Sequence, residues 1–183
     1  MSKVVGIDAS LTNTGIVIYD TEALGPCCWS TVIASKQDGA SRLIEIREQV
    51  RDATRGADMV VIEGYAYSMA NQAHQLGELG GVLRVLFHEI GVKFTVVEPH
   101  QLKKFATGTG NAPKELILQQ VLKRFGTEFK TSHEADAYVL ARIGAALLGH
   151  VQGLTALQLS VVDEVRSGKA RKAAKKKAKK GAA

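Results

Sequence analysis

The chain opens on two short β-branched runs, residues 3–8 and 15–20, closed by Asp8 and Asp20. The mostly small, polar stretch Ala9-Ser10-Leu11-Thr12-Asn13-Thr14 between them reads as a hairpin turn. Residues 29–34 supply a third run, so the chain begins as a β-meander. From residue 41 to about 54 the period changes. Leu43, Ile46 and Val50 recur at three and four residues with Arg47, Glu48 and Arg51 opposite, the pattern of an amphipathic helix. Residues 58–63 are almost continuously apolar up to Glu63, as in a strand covered on both faces. A helix follows over about 71–89, with Leu76, Leu79, Leu83, Leu86 and Ile90 on one stripe. Gly77, Gly80 and Gly81 interrupt it, each costing about 1 kcal/mol against Ala. Glycines at that density point to the close approach of another backbone, a second subunit among the candidates. Residues 93–97 make a fifth strand. Pro113 opens a helix that Gly126 stops, and another helix spans about 133–148. The order βββ-α-β-α-β-α-α predicts an α/β fold, a five-stranded mixed sheet flanked by helices. Beyond it, Leu154, Leu157 and Val161 suit a short amphipathic helix.

Charge changes this picture at one end. Of the 24 basic residues, eight lie between residues 167 and 183 with no acid among them, which leaves 16 basic against 18 acidic elsewhere. The net +6 therefore belongs to the tail, and the remaining chain carries −2. An Ala/Lys/Gly run of this kind repels itself and buries little, so disorder or induced helix is expected. It reads as a solubilising tail or as a phosphate-binding arm that releases counterions from nucleic acid. The 183 residues suit a single core, and no apolar run approaches the roughly 20 residues of a membrane span. Asp8 comes too early for a secretory leader, and the adjacent Cys27 and Cys28 suit neither a structural disulfide nor a zinc site. A reduced, cytoplasmic protein is the expectation.

Three acids stand where elements end or begin. Asp8 closes the first strand, Glu63 closes the apolar fourth one, and Asp136 lies in the last core helix three residues after His133. Singly, each has a plain reading: a strand-terminal Asp as a turn residue, a lone helical His as structural, Glu134 as a solvated face. Together they ask for a partner. Several carboxylates at apolar strand ends are costly to bury unless paired, and a divalent cation suits them. Two cations about 4 Å apart can activate water and stabilise the leaving oxygen of a phosphodiester.

Asp on strand one, Glu on strand four and His-x-x-Asp on a late helix follow the order of the RNase-H-like nuclease fold. Over residues 3–148 the chain resembles the RuvC family of Holliday-junction resolvases. Val5-Gly6-Ile7-Asp8-Ala9-Ser10 with Thr14-Gly15 looks like the family's opening hairpin, and Val61-Ile62-Glu63 like its second acidic strand. Leu76-Gly77-x-x-x-Gly81 resembles the start of its dimer-interface helix. Pro99-x-x-x-Lys103-Lys104-x-x-Thr107-Gly108-x-Gly110-x-Ala112-x-Lys114 resembles its basic loop, and His133-Glu134-Ala135-Asp136-Ala137 its closing metal motif.

The resemblance implies an RNase-H-like nuclease domain over 1–150; apolar spacing and charge add a helical extension over 151–166 and a disordered Lys-rich tail over 167–183, which is not part of the family's core pattern. The resemblance implies Asp8, Glu63, His133 and Asp136 as catalytic metal ligands, with two Mg²⁺ per site and Mn²⁺ as substitute. Lys103 and Lys114 would approach the scissile phosphate, where ammonium groups neutralise charge building on the transition state. Lys104, Gly108 and Gly110 would join them against DNA. On its charge alone, the tail would add Lys169, Arg171, Lys172, Lys175, Lys176 and Lys177. The implied activity is metal-dependent resolution of four-way DNA junctions by paired nicks in a homodimer; partnership with branch-migration machinery is left open, as is a phage or bacterial source. The segment Gly64-Tyr65-Ala66-Tyr67-Ser68-Met69 departs from the family, about one residue short where a junction-wedging aromatic is expected. Tyr65 or Tyr67 can stack on a base or pack in the core. Three other readings compete: an RNase-H-like nuclease acting on RNA or flaps, a nucleotide-binding protein of the actin and sugar-kinase superfamily, and a catalytically silent DNA-binding module. The second needs a further domain and phosphate loop for which the chain has no room. The third leaves acids facing phosphates.

Overall fold

A computed structural model of the protein describes residues 2–21, 28–64 and 73–168. Tyr65, Tyr67, Cys27 and the basic residues from Lys169 onward lie outside the described residues. Five strands and six helices follow in the order β1 (Lys3–Asp8), β2 (Thr14–Asp20), β3 (Cys28–Ile33), α1 (Gly39–Thr54), β4 (Met59–Glu63), α2 (Ala73–Glu89), β5 (Phe94–Val97), α3 (Pro99–Thr107), α4 (Lys114–Phe125), α5 (Ser132–Leu147) and α6 (Ala156–Ser167). One sheet holds the strands in the order β3-β2-β1-β4-β5, antiparallel across β1–β2–β3 and parallel across β1–β4–β5. This is the expected mixed five-stranded α/β sheet. Among the described residues no helix is long and apolar enough to cross a membrane.

Strand alternation sorts the core into two layers. Val4 and Val61 pack with α3, α4, α5 and α6, whereas Val5, Ile7, Val60 and Ile62 pack with α1 and α2. Successive side chains leave opposite faces. Asp8 therefore shares the α5 face with Val4 and Gly6, and Glu63 shares it with Val61. Because β1 and β4 are parallel neighbours with Ile7 opposite Ile62, the two acids end adjacent strands at the same sheet edge.

The middle of α5 lies almost flush on this face. A Cβ on Gly6 would sit 1.9 Å from the Ala137 carbonyl oxygen, and one on Gly144 would sit 2.6 Å from Val4 and Val61 side chains. Only hydrogen at these positions lets helix and strands approach so closely. Helix α5 is buried along most of its length, from Ala135 to Ala146.

Two expectations change. Residues 99–112 were expected as a loop, yet Pro99–Thr107 is helical. Proline at its first position supplies a pre-set φ, Glu98 and Gln101 cap each other's backbone reciprocally, and Gly108 ends the helix at φ 92°. The apolar spacing Leu102, Phe105, Ala106 carries it onto the core. Ile90, expected on the buried stripe of α2, is 37% exposed. That helix ends at Glu89, and Gly91 at φ 67° turns the chain away. The expected short helix after residue 149 is present as α6, but Leu154 precedes it and Leu157 faces solvent, so Val161 and Val162 carry its buried face into the core.

Candidate active site

The N-terminal turn of α5 stands over the end of β1. Here the glycine rule applies again, since a Cβ on Gly15 would lie 2.3 Å from the His133 carbonyl oxygen. With that hydrogen in place, His133 Nδ1 reaches Asp8 Oδ2 at 2.6 Å. Asp136 follows one turn later. Asp8 and Asp136 are only 6% and 5% exposed, so both carboxyl groups sit largely out of water. Glu63 retains an accessible rim, but its carboxyl is crowded by Asp8 and Asp136.

The electrostatics follow from that crowding. Burial, reinforced by the charge of Asp8, pushes Asp136 up to about 7, against the opposing pull of Lys114, His133 and Lys103. Glu63 is likewise raised well above the usual carboxylate range, first by burial and then by Asp8 and Asp136, with Lys114 opposing. His133 is raised chiefly by its hydrogen bond to Asp8. Asp136 Oδ1 is buried without a hydrogen-bond partner. A buried, unpartnered carboxylate oxygen facing other acids is the donor set a hard divalent cation satisfies. Among the described residues no three such side chains form a ready-made cation cage, and Asp8 directs one oxygen at His133. The residues fit the group.

The structure thus brings together Asp8, Glu63, His133 and Asp136, with Lys103 from α3 and Lys114 from the first turn of α4 near enough to act on Asp136. Lys104 points elsewhere. Its ammonium donates to Glu164 at 2.9 Å and Ser160 at 3.3 Å, docking α6 onto α3. Neighbours on a helix diverge by roughly 100°, so Lys103 can face the acids only if Lys104 faces away. Gly108 caps α3, and Gly110 lies beside the His100 backbone, 3.3 Å from its carbonyl oxygen to an added Cβ. Glu134, read from sequence as a solvated residue, is instead engaged at the start of α5, hydrogen-bonded to Thr131 and Ser30. The T-x-x-E spacing from Thr131 signals the first contact; no local pattern signals the second.

Comparison with known proteins identifies relatives of the chain. Residues 4–143 match the family model for the crossover junction endodeoxyribonuclease RuvC. The crossover junction endodeoxyribonuclease RuvC of Nitrobacter hamburgensis is 29% identical over 167 residues, covering 87% of this chain and 95% of its own. The RuvC structure from Thermus thermophilus superposes with a TM-score of 0.65 at 27% identity, covering 81% of this chain and 97% of that one. The same Thermus protein in complex with a Holliday junction substrate superposes with a TM-score of 0.65 at 26% identity, covering 77% and 91%. With the family model spanning the sheet, the acids and both lysines, the chain belongs to the RuvC family of crossover junction endodeoxyribonucleases.

Proposed function

We propose that the protein resolves four-way DNA junctions by metal-dependent hydrolysis, with Asp8, Glu63, His133 and Asp136 holding two Mg²⁺ ions for which Mn²⁺ can substitute. The observation that carries this reading is the convergence of the four groups from β1, β4 and α5, with Asp136 Oδ1 buried and unpartnered. When bound, such a pair of ions supplies the activated water and the charge stabilisation at the leaving oxygen. The chain's own residues do the rest. His133 holds the Asp8 carboxylate in place at 2.6 Å. Lys103 and Lys114 bring fixed positive charge to the same edge, where a phosphate must lie and its developing charge needs neutralising.

Gly108, Gly110 and the tyrosines Tyr65 and Tyr67 are assigned to DNA contact, and the cell or host cytoplasm is the site of action. Two equivalent junction strands call for two symmetric active sites, hence a homodimer. Gly77 and Gly81 on α2 support this: an added Cβ at either meets nothing within 4 Å, and Val85 one turn on is 57% exposed. Gly81→Leu is expected to shift sedimentation from dimer towards monomer, and an unchanged dimer would exclude this face.

The deciding experiment compares labelled four-way junction, flap and linear duplex with Mg²⁺, with Mn²⁺ and with chelator. Paired nicks in the junction, absent in chelator, are expected. Asp8→Asn and Glu63→Gln are expected to abolish cutting while leaving junction binding. Full activity in chelator refutes the metal assignment, and equal cutting of all three substrates refutes junction selectivity.

A further inference from the structure

The first turn of α5 delivers both His133 and Asp136, so rotation of that helix about its axis decides where they point. Thr131 caps the helix. Its hydroxyl accepts the Glu134 backbone N–H at 3.2 Å, while Glu134 Oε2 accepts from the Thr131 N–H at 3.0 Å and the Thr131 hydroxyl at 2.9 Å. A capping box normally ends there. Here the other oxygen, Oε1, accepts a hydrogen bond at 2.9 Å from the hydroxyl of Ser30 on β3, 104 residues away in sequence. The helix start is therefore tied on two sides, by Glu134 to β3 and by His133 to Asp8 on β1. Adjacent helical residues project roughly 100° apart, so two such ties fix the azimuth of the turn.

We propose that Glu134 is a positioning residue for the cation site, acting through Ser30 to hold His133 and Asp136 in register with Asp8 and Glu63. Both carboxylate oxygens of Glu134 are engaged by Ser30 and Thr131, so it works through the helix and not as a ligand. The inference rests on the assignment of those four residues to a cation.

The test is Mn²⁺ binding to the DNA-free protein by calorimetry, alongside single-turnover junction cleavage as a function of Mn²⁺. Ser30→Ala deletes only the strand anchor. Glu134→Ala deletes the anchor and the side-chain half of the box, leaving the Thr131 hydroxyl to accept the backbone N–H of residue 134, whereas Glu134→Gln keeps an acceptor for Thr131 and offers an amide to Ser30. Thr155→Ala is the control: it removes the matching capping box on α6, where Thr155 accepts from the Gln158 N–H at 3.3 Å. Groups hydrogen-bonded directly to metal ligands are typically worth 10–100-fold in affinity; Glu134 and Ser30 act one step further out, through the helix, so a loss at the low end, about tenfold, is expected in Ser30→Ala and in Glu134→Ala, with recovery to within about threefold in Glu134→Gln. Adding Ser30→Ala to Glu134→Ala should cost nothing more, and Thr155→Ala should bind Mn²⁺ like the parent despite its lower melting temperature. Parental affinity in Ser30→Ala or Glu134→Ala, or an equal loss in Thr155→Ala, overturns the proposal. Asp8→Asn separates the two levels of the argument. If it binds Mn²⁺ like the parent, the cation assignment fails and the positioning role with it. If it loses Mn²⁺ while Ser30→Ala and Glu134→Ala do not, the positioning role alone fails.

Discussion

Asp136→Asn is expected to stabilise the metal-free protein at pH 8 while eliminating its activity. Asp136 is 5% exposed, its Oδ1 has no partner, and burial next to Asp8 pushes it up to about 7 from an ordinary 3.8. The interval between those values, at about 1.4 kcal/mol per factor of ten, sets a ceiling of about 4 kcal/mol on the penalty for ionising it in the folded state. The new amide also needs a partner, so about 2 kcal/mol is the expected gain. For a domain of this size that corresponds to a rise of about 4–8 °C in Tm. The sign depends on pH. A folded value raised above the unfolded one gives stability that is present below the ordinary value near 4 and is lost as pH rises through about 7. In chelator the parent should therefore lose Tm between pH 5 and pH 8, and Asp136→Asn should lose less. Glu63, raised in the same sense, leaves a residual slope in both proteins. Added Mg²⁺ should restore the parent at pH 8 and do little for the variant. Thermal unfolding followed by circular dichroism at both pH values reads this directly. An advantage of the variant that is no larger at pH 8 than at pH 5 refutes the argument.

Gly15→Ala puts a Cβ 2.3 Å from the His133 carbonyl oxygen, so the first turn of α5 must lift. Overpacking of this kind costs about 1–3 kcal/mol, and a displacement near 1 Å can cost about 100-fold in rate; Tm and single-turnover cleavage measure the two. Lys103→Ala should slow cleavage at least tenfold with little change in Tm, whereas Lys104→Ala should keep the rate and lose about 0.5–1 kcal/mol of stability with its Glu164 pair. The reverse pattern would mean that the two lysines have been assigned to the wrong faces of α3. Deleting residues 169–183 removes eight positive charges. Affinity should then fall by a similar factor for every DNA shape, with a salt slope shallower by up to about 0.9 per lost phosphate contact; an unchanged slope makes the tail a solubilising one.

Most of the fold is legible along the chain because its elements carry clean periods. The β1 and β2 runs, the Leu79, Leu83 and Leu86 stripe of α2 and the αL stop at Gly126 each announce themselves locally. Helix α3 hides for a physical reason: only nine residues long, it has two lysines and an opening proline that resemble a basic loop until Glu98 and Gln101 are read as a capping box. Within the site, Asp8 and Glu63 are legible because charge at the end of an apolar strand is costly and stands out, whereas His133 and Asp136, on a helix, are legible through their three-residue spacing and their likeness to the family's closing motif. Lys104 misleads, since its proximity to Lys103 in sequence becomes divergence on a helix. The Ser30 contact of Glu134 spans 104 residues and leaves no local trace.

The same close packing that makes the fold makes the site. Glycine at positions 6 and 15 lets the α5 backbone lie directly against β1 and β2, and Gly144 lets it settle onto Val4 and Val61 of β1 and β4. That contact is what brings Asp136 out of water and His133 onto Asp8. Set back by a layer of methyl groups, the helix would leave Asp136 hydrated, its carboxyl nearer the ordinary range and the acids farther apart. Lys103 and Lys114 offset part of the repulsion, as their lowering of Asp136 shows, but they do not cancel it. What they leave uncancelled is a negative, partly desolvated cluster that destabilises the folded chain above pH 7 and attracts a cation. A substitution that relaxes the cluster should therefore raise stability as it lowers cation affinity, and one that did either without the other would break the link.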